Sequence, residues 1–94
     1  MEIRILSSDD VQKAFPMAEA IEGMKRAYSR LSSGRVEMPL RSRVYIPEQE
    51  GVLLTMPAAL SEDNEMAVKL VTVFVKNPDR VFPLINADVL VLDT

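Results

Sequence analysis

Two periodicities divide the chain. From Met17 the apolar residues recur at Met17, Ile21, Met24, Tyr28 and Leu31, steps of four, three, four and three that draw one stripe along a helix. Glu19 and Glu22 lie toward its amino end and Lys25, Arg26 and Arg30 toward its carboxyl end, as the helix dipole favours. The stripe reads as core or dimer packing, and Gly34 predicts a left-handed stop. Ahead of it, Ser7-Ser8-Asp9-Asp10 offers hydroxyl and carboxylate caps for a short helix starting near Asp9. Pro16 disfavours the helical region for Phe15, so a break falls there and Pro16 itself opens the second helix. Ile3 to Leu6 alternates with polar residues and predicts a short edge strand.

After Gly34 the period becomes two, with Arg41, Arg43 and Tyr45 alternating against Leu40, Val44 and Ile46. Pro47 to Gly51 predicts a hairpin turn returning as Val52 to Met56, and Pro57 should end that strand or confine it to an edge. Ser61 to Glu65 is a polar loop before the apolar run Met66 to Val75. Asn77-Pro78-Asp79-Arg80 marks another turn, and Leu84 to Leu92 reads as a last strand. Helices first, then four or five strands joined by short turns, make an α+β fold with a mainly antiparallel sheet, since parallel neighbours need long crossovers.

At 94 residues this is one small domain, 1–94, in the size range where a partner helps stability. A formal net charge of -3 argues against a nucleic-acid partner, which would want a basic excess. No apolar run approaches the roughly eighteen residues of a spanning helix. The amino terminus MEIRILSSDD is too short and acidic for a signal peptide, and a cytoplasmic location is expected. With no Cys and no His there is no disulfide, no thiolate nucleophile, no Cys/His zinc site and no imidazole base. The three Gly, at 23, 34 and 51, cannot write a G-x-G-x-x-G or Walker A loop. The sequence stops at Asp93-Thr94 directly after an apolar run, which reads as a truncation or a domain boundary.

Lys69 is the first candidate for chemistry, because it interrupts Met66 to Val75 where a core strand would carry another aliphatic. Either it lies on the solvated face of a half-exposed strand, as lysines mostly do, or it anchors a carboxylate or serves as a base. Arg41 and Arg43 alternate onto one face of their strand, where a guanidinium can grip a carboxylate with two prongs. The blander role for both is protection of a sheet edge or pairing with surface acids. Residue logic thus reaches an acidic α+β domain with two or three candidate anion-binding cations, and no reaction.

Particular words add to this. Leu6-Ser7, Asp10-Val11, Met17-Ala18-Glu19-Ala20-Ile21-Glu22 and Leu31-Ser32-Ser33-Gly34 run into Met38-Pro39-Leu40-Arg41. Thr55-Met56-Pro57-Ala58, Val68-Lys69-Leu70-Val71, Asn77-Pro78 and Val89-Leu90-Val91-Leu92-Asp93 follow. In this order and spacing the chain resembles the first third of the ornithine cyclodeaminase and mu-crystallin family, which includes alanine dehydrogenases and ketimine reductases. The resemblance implies a partial substrate-binding and dimerisation domain, without the Rossmann domain that holds NAD or NADP in the full-length enzyme. No tight cofactor binding by this chain alone, and no catalytic residue within it, is then expected. It further implies that Arg41 and Lys69 contact the substrate carboxylate and that Met56 lines the same pocket. Three positions depart from the family pattern: Val81 and Ala87 stand where Gly is usual, and Leu84 where a Thr would approach the cofactor.

The leading expectation is therefore the amino-terminal part of an NAD(P)-dependent amino- or imino-acid enzyme resembling ornithine cyclodeaminase, which makes proline from ornithine with release of ammonia. This part alone should be inactive and homodimeric. The alternative is a stand-alone dimeric module that binds a small carboxylate or serves assembly, and a third reading is a nonfunctional remnant.

Overall fold

A computed structural model describes residues 1–93 and divides the chain into two compact units, one ending at Gly34 and the other starting at Arg35. In the first unit, α1 (Ser8–Ala14) begins where Ser7 accepts a hydrogen bond from the Asp10 backbone N–H at 3.1 Å, while the Ser7 N–H donates to the Asp10 carboxylate at 2.8 Å. This reciprocal capping box satisfies two amide donors that a helix start otherwise leaves open. The same bonds hold the Asp10 carboxyl below the usual carboxylate range, the backbone donor contributing most. Helix α1 ends at Phe15, as Pro16 requires, and α2 (Met17–Ser32) follows with Pro16 as its cap residue. Gly34, at φ 76°, supplies the left-handed exit.

Ile3 to Leu6 forms no strand. Ile3, Ile5 and Leu6 are exposed, and no neighbouring strand offers them a ladder. Alternation over four residues is a necessary condition for a strand, but pairing makes one.

In the second unit four strands form one antiparallel sheet in sequence order: β1 (Ser42–Ile46), β2 (Gly51–Leu60), β3 (Glu65–Phe74) and β4 (Ile85–Asp93). Single 3-10 turns connect them, and the first two close on left-handed Glu50 and Asn64. Gly51 opens β2 without a side chain because the Phe74 ring, on its register partner, lies where a Cβ would stand.

Strand β2 does not end at Pro57 but continues to Leu60. Ala59 exchanges both backbone hydrogen bonds with Glu37, on the β1 side of the strand. Antiparallel alternation turns the backbone of Pro57, two residues earlier, toward that same side. There β1 has already stopped, its last pair being Ser42 with Thr55, so the missing N–H of Pro57 costs no bond to β3. The proline is confined to a local edge, as expected, inside a strand that runs past it.

Among the described residues only Val71, at the centre of β3, is buried. The stripe Met17, Ile21, Met24, Tyr28 and Leu31 is helical as predicted but exposed, and all of it but Leu31 lines an open groove on α2 rather than a core. Strand β4 is exposed along its length.

Candidate functional site

The ladder register assembles the candidate residues. Met56 on β2 is the direct partner of Lys69 on β3, and Lys69 is the direct partner of Val89 on β4. Residues directly opposite one another in an antiparallel pair project from the same face. Arg41 lies one residue before Ser42, the first paired residue of β1, and continuing that register places it opposite Met56. Met56 and Lys69 therefore share one line across the sheet, Arg41 lies at its β1 end just outside the paired residues rather than on the strand, and the line next to it reads Arg43, Leu54, Val71 and Ala87.

Neighbouring strands lie about 4.8 Å apart, so Arg41 and Lys69 stand roughly 10 Å apart at the backbone with Met56 between them. Both side chains are long enough to lean over Met56 and meet on one small anion. Lys69 is exposed and Met56 half-buried. Neither cation, nor Arg43, makes a hydrogen bond or ion pair with a described residue, whereas Lys13, Lys25, Arg35 and Lys76 all face carboxylates within 4 Å. The acids on this face, Glu65 and Asp93, pair with each other two lines beyond Lys69. An acidic chain thus places Arg43 and Lys69 on one face of its sheet and Arg41 at its margin, none of the three with a partner among the described residues.

The departures noted in the sequence also have places in the fold. Val81 sits at φ 66°, ψ 25°, a left-handed conformation that is strained for a β-branched residue and natural for glycine. It is 94% exposed, so no packing offsets the strain. The turn around it is tied by Asn77, whose Nδ2 donates to the Pro83 carbonyl at 3.1 Å. Leu84 joins the turn to the sheet through its carbonyl, which accepts from the Phe74 N–H at 3.0 Å, and its side chain has no polar atom to offer a ligand. Ala87 ends the line that Arg43 begins, on the cationic face.

The sequence set Arg41 beside Arg43 on one strand face, and the family resemblance set Arg41, Met56 and Lys69 in one pocket. The pairing of Met56 with Lys69 is a property of register. The tight turn at Ser61 to Asn64 was the signal that could have found it, since it forces Leu60 opposite Glu65 and hence Met56 opposite Lys69.

Comparison with known proteins places the chain. The sequence profile of the ornithine cyclodeaminase/mu-crystallin family matches residues 1–94. The chain belongs to that family. It is 31% identical to alanine dehydrogenase of Archaeoglobus fulgidus over 87 residues, covering 93% of this chain and 26% of that enzyme. Its fold is similar to that of Thermococcus litoralis Delta(1)-pyrroline-2-carboxylate reductase in complex with NADH and L-proline, with a TM-score of 0.87 and 32% identity. That match covers 97% of this chain and 28% of the reductase. An archaeal alanine dehydrogenase dimer with bound NAD gives a TM-score of 0.85 and 28% identity, over 99% of this chain and 28% of that one. This family member therefore spans little more than a quarter of the length of these relatives.

Proposed function

We propose that this chain is the carboxylate-holding part of an NAD(P)-dependent enzyme acting on an amino or imino acid. The observation that carries this reading is the pairing of Met56 with Lys69 on one sheet face, with Arg41 just ahead of β1 at the same end, neither cation having a partner among the described residues. Two cations roughly 10 Å apart at the backbone, reaching inward over a flexible thioether, suit one planar carboxylate held from two sides. Relatives named as an alanine dehydrogenase and as a proline-bound reductase support an α-amino or α-imino acid as the owner of that carboxylate.

The chain's own residues bind and orient. Arg41 supplies a bidentate grip, Lys69 a second positive charge, and Met56 an adaptable apolar floor that keeps water from the inner side of the carboxylate. Fixing the carboxylate fixes the adjacent α-carbon, the position at which a nicotinamide gives or takes a hydride. The glycines present do not make a dinucleotide cradle: Gly23 lies within α2, Gly34 at its exit and Gly51 at the start of β2. The cofactor site belongs, in this reading, to the part of the relatives that the chain does not span, and the whole works as a dimer of cytoplasmic subunits.

The test is to assay the full-length gene product with NAD or NADP against a panel of L-amino acids that includes alanine, proline and ornithine. We expect cofactor-dependent turnover of at least one. Lys69→Gln should raise KM by about tenfold or more while nucleotide affinity stays at the native value. Turnover insensitive to both Arg41→Gln and Lys69→Gln would overturn the assignment, and binding of a carboxylate without any turnover would move it to a stand-alone binding module. Proline formed from ornithine would select the cyclodeaminase branch.

A further inference from the structure

We propose that residues 2–6, the segment ahead of α1, add as a strand along the free edge of β4 in a second copy of this chain. The proposal concerns assembly and is independent of the carboxylate reading, so each can fail alone. Two parts of the chain each lack what the other offers. Glu2 to Leu6 alternates as a strand does, yet Ile3, Ile5 and Leu6 are exposed and the segment joins no ladder among the described residues. Strand β4 is exposed over all nine of its residues and is bonded on one side only, to β3.

Natural sheets blunt a free edge with a lysine, a proline, a bulge or sheer brevity. The β1 edge is short, at five residues. Strand β4 uses none of these devices: it contains no Lys and no Pro, and its register with β3 runs unbroken from Ile85 to Asp93. An edge left open in this way is a template for another strand. The side chains then choose the strand and its direction. With Arg4 set opposite Asp88 and the two strands parallel, Ile3 meets Ala87, Ile5 meets Val89, Leu6 meets Leu90 and Glu2 meets Asn86. Each apolar residue faces an apolar one, and the one cation of the segment faces the one acid in the interior of β4. The antiparallel arrangement about the same pair sets Leu6 against Asn86 and Glu2 against Leu90, a poorer match. Within one chain a parallel neighbour requires a long crossover, whereas a strand from a second chain requires none. A two-fold axis repeats the contact, so two copies exchange segments and cover both β4 edges.

The test is sedimentation of the full-length gene product over a dilution series, for the native protein, Arg4→Glu, Asp88→Arg and the double variant, together with amide exchange across residues 2–6. None of these readouts depends on carboxylate binding. We expect a native dimer with slow exchange at alternate amides of the segment. Each single reversal sets like charges opposite one another twice per dimer and should weaken association about tenfold, while the double variant should return to within about threefold of native. A protein monomeric at every concentration, a dimer indifferent to both reversals, or losses that add in the double variant would overturn the proposal. Fast exchange throughout residues 2–6 in the dimer would overturn it as well. Slow exchange that persists in Asp88→Arg at a dilution where that variant is monomeric assigns the segment to an edge within its own chain, and is equally contrary.

Discussion

Strands β3 and β4 are both predominantly apolar, yet β3 is largely half-buried and β4 exposed throughout. Val71 on β3 is 7% exposed, whereas Val91 on β4, on the same face, is 77% exposed. Composition does not separate them, since apolar residues, valine among them, dominate both strands. Position does: β3 has β2 on one side and β4 on the other, while β4 has β3 alone. An apolar strand sequence therefore reports the capacity to be buried, and the neighbours decide whether it is.

The sharpest way to break this contrast is at the β2–β3 pair itself. Gly51→Ala places a Cβ where the Phe74 ring stands, so the ring must swing off the strand, and should cost about 3 kcal/mol in chemical denaturation. A cost near zero would mean that the ring does not rest there. Next comes the same substitution at both ends of the comparison. Val71→Thr buries a hydroxyl without a partner and should cost roughly 2 kcal/mol, while Val91→Thr should stay within about 0.5 kcal/mol. Equal losses would contradict the difference in exposure.

Val81 sharpens the account from the other direction. Replacing this strained, exposed residue by glycine relieves a left-handed valine, and Val81→Gly should stabilise the chain by about 1 kcal/mol. The smallest expected effect lies at the capping box. Because the Asp10 carboxyl titrates below its ordinary value, its contribution is fully present above the ordinary carboxylate pKa and is lost as pH falls through the depressed one. Exchange of the Ser7 and Asp10 amides, followed by NMR from about pH 5 down to about pH 2, should accelerate in the lower part of that range. Asp10→Asn should flatten the profile.

How much of this could be read from the residues depends on the range of the interaction. Helix α2 was legible because its stripe repeats locally over four turns, and α1 because Ser7 and Asp10 recognise each other across three residues. The three turns were legible from Pro, Gly and Asn. The strand expected at Ile3 to Leu6 failed because alternation cannot supply a partner, and the reach of β2 was underestimated because the harmlessness of Pro57 depends on where β1 stops. At the site, Lys69 stood out as a break in an apolar run and Arg41 through the Pro-Leu-Arg word. That Met56 stands directly opposite Lys69, and that Arg43 lies one line along from them, emerges only when three strands are set in register.

The central claim is that Arg41 and Lys69 hold one carboxylate together, and a double-mutant cycle on carboxylate affinity tests it most directly. Titrating pentanoate into the native full-length protein and into Arg41→Gln, Lys69→Gln and the double variant yields the coupling between the two sites. A shared carboxylate gives strong non-additivity, with the double variant losing at least about fivefold less affinity than the two single losses multiplied together. Losses that simply multiply would show that the two cations act on separate charges, and would contradict the shared site.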